Sequence, residues 1–331
     1  MKREVLLYLI LAVVALLLFV TDLLVGSVDI PFDLLLSKEG IYSSIFFDIR
    51  LPKAITSVLV GVALGVSGLL MQTLFRNPLA GPSILGISSG ATLGVALYVL
   101  FFSVSGLSIV SLSIFGSVLC AMLGAFIMLL IILLVSFVVK DSVTLLIVGV
   151  ITGSLTSSVV SVLQNLSDPE SVKHFVNWTL GNVEVVSWSQ LQLFIPIVFF
   201  VILLLLGCIK SLDAFLLGES YAQGVGVSVR KHKLIVITLT AVLTGVTTAF
   251  TGPIGFIGII VPHVARMLFN TSKHAKIYPA SILIGMITML LCDILSQLPS
   301  NGYILPINAV TALIGAPIVL WILLGRNKMV V

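Results

Sequence analysis

The stretch FRNPLAGPSILGISSG (Phe75–Gly90) decides what kind of protein this is. It places one charge, Arg76, ahead of two prolines and three glycines, and no Asp, Glu, Lys or Arg follows until Lys140. At ~1.5 Å per helical residue, the uncharged run Asn77–Val139 is long enough to cross a ~30 Å hydrocarbon core at least twice. The whole chain has the same character: 331 residues, 59% hydrophobic and 9% charged, with a mean hydropathy of +1.26. Soluble domains carry about 25% charged residues. Long apolar runs also exclude a β-barrel, whose strands are short and alternate in polarity. The chain therefore reads as an all-α integral membrane protein whose backbone is broken by Gly and Pro at membrane depth. Such breaks are tolerated only where protein buries them or where they line a water-filled cavity.

Apolar runs and their interruptions predict ten spans, near 5–25, 54–75, 83–102, 107–138, 143–165, 189–209, 233–250, 255–269, 279–297 and 306–325. No polar segment is long enough for a soluble domain, so residues 1–331 read as one transmembrane domain. The N-terminal apolar run exceeds a signal-peptide core and lacks a small-x-small cleavage site, so it reads as the first span. An even span count puts both termini on one side. With that side cytoplasmic, Lys2, Arg3, Arg76, Lys140, Lys210, Arg230, Lys231, Lys233, Arg266, Lys273, Lys276, Arg326 and Lys328 lie inside. Only Lys38, Arg50, Lys53 and Lys173 lie outside. Thirteen against four is the positive-inside bias. The net charge of +4 thus reflects topology and implies no nucleic acid.

Small residues recur at helical spacing in Gly61/Gly65, Gly90/Gly94 and Gly149/Gly153, a pattern that lets helices approach closely in lipid. The opening stretch re-enters the membrane through Gly81, Gly86 and Gly90. A second break, TGPIGFIGIIVPHVARM (Thr251–Met267), opens the eighth span with Gly252-Pro253, Gly255 and Gly258. Paired Gly/Pro interruptions point to transporters, although two glycine-rich helix starts also suit simple packing. The longest cytoplasmic loop, about 210–232, holds Leu212, Phe215, Leu216, Ala222 and Val225 around Gly218-Glu219. This predicts two short amphipathic helices with a glycine break, their apolar face meeting the membrane surface or a partner protein.

Four segments in order, RLPKAITSVLVGVALGVSGLLMQTLFRNPLAGPSILGISSGATLG, LDAFLLGESYAQGVGV, GPIGFIGIIVPHVAR and LPINAVTALIGAPIVLWILL, resemble the FecCD-type permeases. These are membrane subunits of type II ABC importers for iron-siderophores, haem and vitamin B12. The resemblance covers about Arg50 to Leu324 and implies a BtuC-like bundle in the bacterial inner membrane. It implies a homodimer of permeases, two ABC ATPase subunits, and a periplasmic or lipid-anchored substrate-binding protein. Residues matching the family's coupling loop are Leu212, Leu217, Gly218, Glu219, Ala222 and Gly226. Arg50 and Lys53 match basic residues that meet the binding protein, though ordinary interfacial anchoring also explains them. Gate or translocation candidates are Ser142, Val143, Gly86, Gly90, Gly252, Gly255 and His263, the last with Arg266 shaping the inner gate or the ATPase contact. The chain departs from many members at Gln297, where they carry Arg. It departs again at Ile304-Leu305-Pro306-Ile307-Asn308, where they carry Glu-Leu-Pro-x-Gly.

Asp293 is the acidic residue nearest the middle of a span. A central carboxylate costs ~2.5–3.5 kcal/mol on insertion scales, so it must be paired, protonated or hydrogen-bonded. With no second ionisable residue evident at its depth, the sequence favours a locally capped carboxylate over a relay. Cys120, Cys208 and Cys292 have no metal-ligand spacing and read as packing residues. No catalytic set, metal site, cofactor motif or G-x-x-x-x-G-K-[ST] loop is present, so ATP hydrolysis is expected on another subunit. The competing class is a self-contained secondary transporter driven by an ion gradient.

Overall fold

The computed structural model describes residues 2–26, 40–101, 114–139, 142–298 and 304–324. Within them the chain is helical, with no strand among the described residues. Seven helices are long and apolar enough to cross a membrane, and three shorter apolar helices (Ile87–Phe101, Ile257–Phe269 and Ile307–Trp321) complete the ten expected spans. The parts of the third and fourth spans that fall on 102–113 lie outside the described residues, as do Lys38, Lys140, Arg326 and Lys328.

In chain order the helices are α1 (Lys2–Leu24), α2 (Ile41–Ser44), α3 (Leu51–Leu74), α4 (Ile87–Ala96), α5 (Ile114–Val138), α6 (Ser142–Leu166) and α7 (Pro169–Thr179). There follow α8 (Trp188–Leu206), α9 (Ile209–Leu216), α10 (Glu219–Gly224), α11 (Val229–Thr251), α12 (Ile257–Phe269), α13 (His274–Gln297) and α14 (Ile307–Leu324). A π-helical turn, Ile45–Arg50, joins α2 to α3. Helix α7 was not foreseen as an element, yet its start is chemically explicit. Asp168 accepts from the backbone N–H groups of Glu170 and Ser171, and Pro169 takes the first turn, where a missing N–H costs nothing.

The described residues form two compact units. The first comprises 1–69, 182–199 and 254–331. Within it, α1 lies on α13 and α13 lies on α12. Tyr8 donates its hydroxyl to the Lys276 carbonyl (2.7 Å), and Lys276 pairs with Glu4. The opposite face of α1 exposes Leu6, Leu9, Val13, Leu16, Leu17 and Val20, the side chains a bilayer solvates. The glycines of α3 allow the closest approaches: a Cβ at Gly61 would fall on the Gly285 carbonyl, and one at Gly68 on the Gly258 carbonyl. Backbone meets backbone there without side chains between, the packing that substitutes for hydrophobic drive in lipid.

The second unit comprises 70–181 and 200–253. Its centre is α4 on α5, with α11 and α6 alongside. A Cβ at Gly90 would meet the Gly124 carbonyl, and one at Gly94 the Cys120 carbonyl. Helix α5 turns Leu119, Leu123, Phe126, Ile127 and Leu130 outward, so its small residues face α4 and its large ones face lipid.

Gly68→Val tests the close approach, because the added carbons meet backbone rather than a flexible side chain. We expect a loss of about 3 kcal/mol or more, read as a lowered unfolding midpoint of the purified protein in detergent. Gly224→Ala, with nothing within 4 Å of the new Cβ, should change the midpoint little.

Candidate functional site

The first break is built from residues 77–86. Arg76 adopts a positive φ of 46°, and Asn77 Oδ1 accepts from the Leu79 N–H, so the chain turns immediately after α3. A single 3-10 turn (Pro82–Leu85) follows and ends at Gly86. There a φ of 72° redirects the chain into α4, a conformation glycine adopts without strain. This turn forms one wall of a cleft of about 500 Å³, lined by Ser83, Ile84, Ser89, Gly149, Val150, Gly153, Ser154 and Ser157. Gly86 ends that turn, and Gly90 faces α5, where a Cβ would meet Met128 and the Gly124 carbonyl. Ser142 and Val143 open α6, but their side chains lie outside the described residues.

The other wall is α6, and here the sequence held a signal that span-finding missed. Ser154, Ser157, Ser158 and Ser161 are exposed, on a stripe at spacings of three and four. Ser154, Ser158 and Ser161 each return their hydroxyl hydrogen to the carbonyl four residues back, which mutes but does not remove their polarity. A polar stripe beside a cleft is suited to water or to another protein surface, not to acyl chains.

The second break follows α11. Gly252 caps α11 at φ 73°, and its missing Cβ leaves room for the Trp178 carbonyl. Beyond it, the Gly255 N–H donates to Asn308 Oδ1 at 3.1 Å. Phe256 takes a φ of 66°, unusual for a bulky residue. Its side chain lies where a Cβ on Gly315 would be, so a glycine on α14 accommodates the strained residue. His263 is buried in α12, and its Nε2 has no hydrogen-bond partner among the described residues.

The loop at 210–232 forms the two predicted helices, α9 and α10, with Gly218 between them at φ 113°. Its inward face is fixed. Leu212, Phe215 and Ala222 are buried, Phe215 stacks on His232 with ring centroids 4.7 Å apart, and Glu219 pairs with Lys233 at 2.7 Å. Its outward face is apolar: Leu217, Tyr221 and Val225 are 66%, 50% and 56% exposed at a spacing of four. Gly226 closes the elbow at φ 86°.

Arg50 and Lys53 differ from expectation, because neither head group is presented at a surface. Arg50 is 4% exposed and donates to the Leu23 and Leu24 carbonyls at 3.0 and 2.8 Å, capping the C-terminal end of α1. Lys53 is 2% exposed and lies 3.2 Å from Asp22 Oδ1 and 3.4 Å from Asp293 Oδ2. Burial and internal pairing stand against a docking role for either. They also correct the reading of Asp293, which has two charged companions at its depth. Its local capping was legible: Ser57 Oγ donates to Asp293 Oδ2 at 3.0 Å, and Gln297 Nε2 reaches Oδ1 at 3.4 Å. Among the described residues no cluster of His, Cys, Asp and Glu could hold a metal ion.

Comparison with known proteins agrees with this geometry. The sequence profile of the FecCD transport family matches residues 12–325. The hemin transport system permease HmuU of Yersinia pestis is 34% identical over 86% of this chain and 84% of its own. The vitamin B12 import permease BtuC of Klebsiella pneumoniae is 34% identical over 93% of this chain and 91% of its own. A solved structure of a metal-chelate type ABC transporter in an inward-facing conformation superposes with a TM-score of 0.84 at 31% identity. It covers 97% of this chain and 99% of that one.

The α6 stripe predicts a labelling pattern. In a cysteine-free background, Ser154→Cys, Ser157→Cys and Ser161→Cys should react with a membrane-impermeant thiol reagent at least about tenfold faster than Val162→Cys. Equal rates along the helix would show that the stripe has no access to water.

Proposed function

The chain belongs to the FecCD transport family, and we propose on that basis how its parts serve an ATP-driven importer. It is a multi-pass permease subunit of an ABC importer in the bacterial inner membrane, and its cargo is a metal chelate: an iron-siderophore, haem or cobalamin. The observation that carries the mechanism is the α9–Gly218–α10 elbow. Its inner face is locked to the protein by Leu212, Phe215 and the Glu219–Lys233 pair, while Leu217, Tyr221 and Val225 stand free. A rigid elbow with an unpaired apolar ridge is what a force-transmitting contact needs. Two ABC ATPase subunits would grip it, and their closure on ATP would favour one arrangement of the helices over another.

The transport path follows from α6. Its serine stripe and the cleft beside the first break would line a water-filled route if a second copy covered them. We therefore place the path at the two-fold axis of a homodimer. Gly86 and Gly90, and the turn at Gly252–Gly255, are the points where helices could pivot. ATP hydrolysis belongs to the partner ATPases, and substrate arrives on a periplasmic or lipid-anchored binding protein.

A secondary transporter would need an ionisable site near the bilayer midplane. The buried charges do not supply one. Asp22 is two residues from the end of α1, Lys53 is the third residue of α3, and Asp293 is four residues from the end of α13. Asp22 and Asp293 sit near helix ends, and Lys53, within the continuous helix Ile41–Phe75, is held between them.

Reconstitution decides between the two. In proteoliposomes containing the permease, its ATPase and its binding protein, uptake of the bound chelate should require ATP. Leu217→Asp with Tyr221→Asp should lower it about tenfold or more, the effect of losing an anchor worth ~1.4 kcal/mol or more. Gradient-driven uptake by the permease alone would overturn the assignment.

A further inference from the structure

Three helices of the first unit meet at a buried charge cluster that the transport mechanism does not use. Asp22 (α1) is 0% exposed, Lys53 (α3) 2% and Asp293 (α13) 1%. One ammonium serves two carboxylates. The two acids are not equally provided for. Asp293 accepts from Ser57 Oγ at 3.0 Å on Oδ2. On Oδ1 it takes a longer contact from Gln297 Nε2 (3.4 Å), while Ser296 Oγ gives its hydrogen to the Asp293 backbone carbonyl at 2.6 Å. Asp22 has Lys53 on Oδ1, and its Oδ2 has no hydrogen-bond donor. The carboxyl groups of Asp22 and Asp293 meet on the same ammonium, at 3.2 and 3.4 Å from Lys53 Nζ.

Other charged and titratable groups around the cluster are accounted for. On α3, Arg50 is turned to the Leu23 and Leu24 carbonyls. On α13, Cys292 is buried beside Asp293. From the loop ahead of α8, half-buried Glu184 lies within electrostatic range of Lys53 and Asp293, and burial holds its carboxyl above the ordinary carboxylate range. Glu184 adds no positive charge to balance a second carboxylate.

Two enclosed carboxylates sharing one cation cannot both remain ionised without a large desolvation cost. An orphaned, fully buried carboxylate oxygen has a simple remedy: it carries a hydrogen and becomes a donor. We propose that the cluster is a proton-binding site, in which Asp22 is un-ionised and donates to Asp293, while Lys53 and Asp293 form the ion pair. The assignment to Asp22 follows from the donor count, since hydrogen bonds to the charged form stabilise it at Asp293. The bound proton makes the cluster neutral. It allows the end of α1 to be clamped to α3 and α13 in a low-dielectric setting, and it keeps Lys53 inside the protein. This inference rests on the cluster's geometry and is independent of the transport assignment.

The test uses the full-length protein in lipid nanodiscs. Infrared spectroscopy of the wild type should show the C=O stretch of an un-ionised buried carboxylic acid, and Asp22→Asn should remove that band. Because asparagine mimics a protonated carboxyl, Asp22→Asn should unfold near the wild-type temperature. Asp293→Asn, which leaves Lys53 only the poorly hydrogen-bonded Asp22 carboxylate, should unfold roughly 5 °C or more lower. The proposal is overturned if the wild type lacks the band or if the band survives Asp22→Asn. It is equally overturned if Asp22→Asn is as destabilised as Asp293→Asn or fails to fold.

Discussion

One constraint governs this protein: at membrane depth, every backbone N–H and C=O, and every charge, must find its partner inside the protein or in water the protein admits. Among the described residues, seven helices of spanning length and three shorter apolar ones satisfy most of it by themselves. The remainder is concentrated at two breaks in the ladder, one cluster of charges and one stripe of hydroxyls, and the packing is arranged around these exceptions. Glycines let α3 touch α12 and α13, and let α4 touch α5, backbone to backbone. That leaves large aliphatic side chains for the lipid-facing surfaces of α1 and α5. The inside-out distribution is what a bilayer solvent selects, since large apolar groups gain nothing by hiding from acyl chains.

The same constraint separates the working parts. Backbone at the first break takes one 3-10 turn and a left-handed glycine, and ends beside a cleft rather than in dry packing. The second break places a bulky residue, Phe256, in a conformation it rarely adopts and supports it with Gly315 and the Asn308 amide. Strain held by its surroundings is a feature of segments that change conformation. The α9–α10 elbow inverts the rule for α1. Its apolar ridge, Leu217, Tyr221 and Val225, is exposed outside the spans. On the proposed mechanism, the two breaks are where helices pivot and the elbow is where the ATPases push.

Much of this was written plainly in the residues. Continuous apolar runs marked the seven spanning-length helices and the three shorter apolar ones seen among the described residues, because hydropathy over about twenty residues is a direct consequence of bilayer thickness. The elbow was legible because Leu212, Phe215 and Ala222 keep a helical period across Gly218. Other features were not. Lys53 and Asp22 are 31 residues apart, and Ser57 and Asp293 are 236 apart. No local pattern joins such residues; only the tertiary approach of α1, α3 and α13 does. Lys53 therefore looked like an external charge when it is an internal one. Helix α7 and the serine stripe of α6 were different cases. Asp168-Pro169-Glu170 is a readable helix start, and Ser154, Ser158 and Ser161 are readable as one face, but a search for apolar runs passes over both.

The central claim is that the first break is the wall of a water-filled path and not a flaw sealed in packing. Hydrogen–deuterium exchange of the assembled importer in lipid nanodiscs tests it most directly. Peptides covering 80–87 should exchange well ahead of those covering α5, which is enclosed by protein and lipid. Exchange at the break as slow as in α5 would contradict the account.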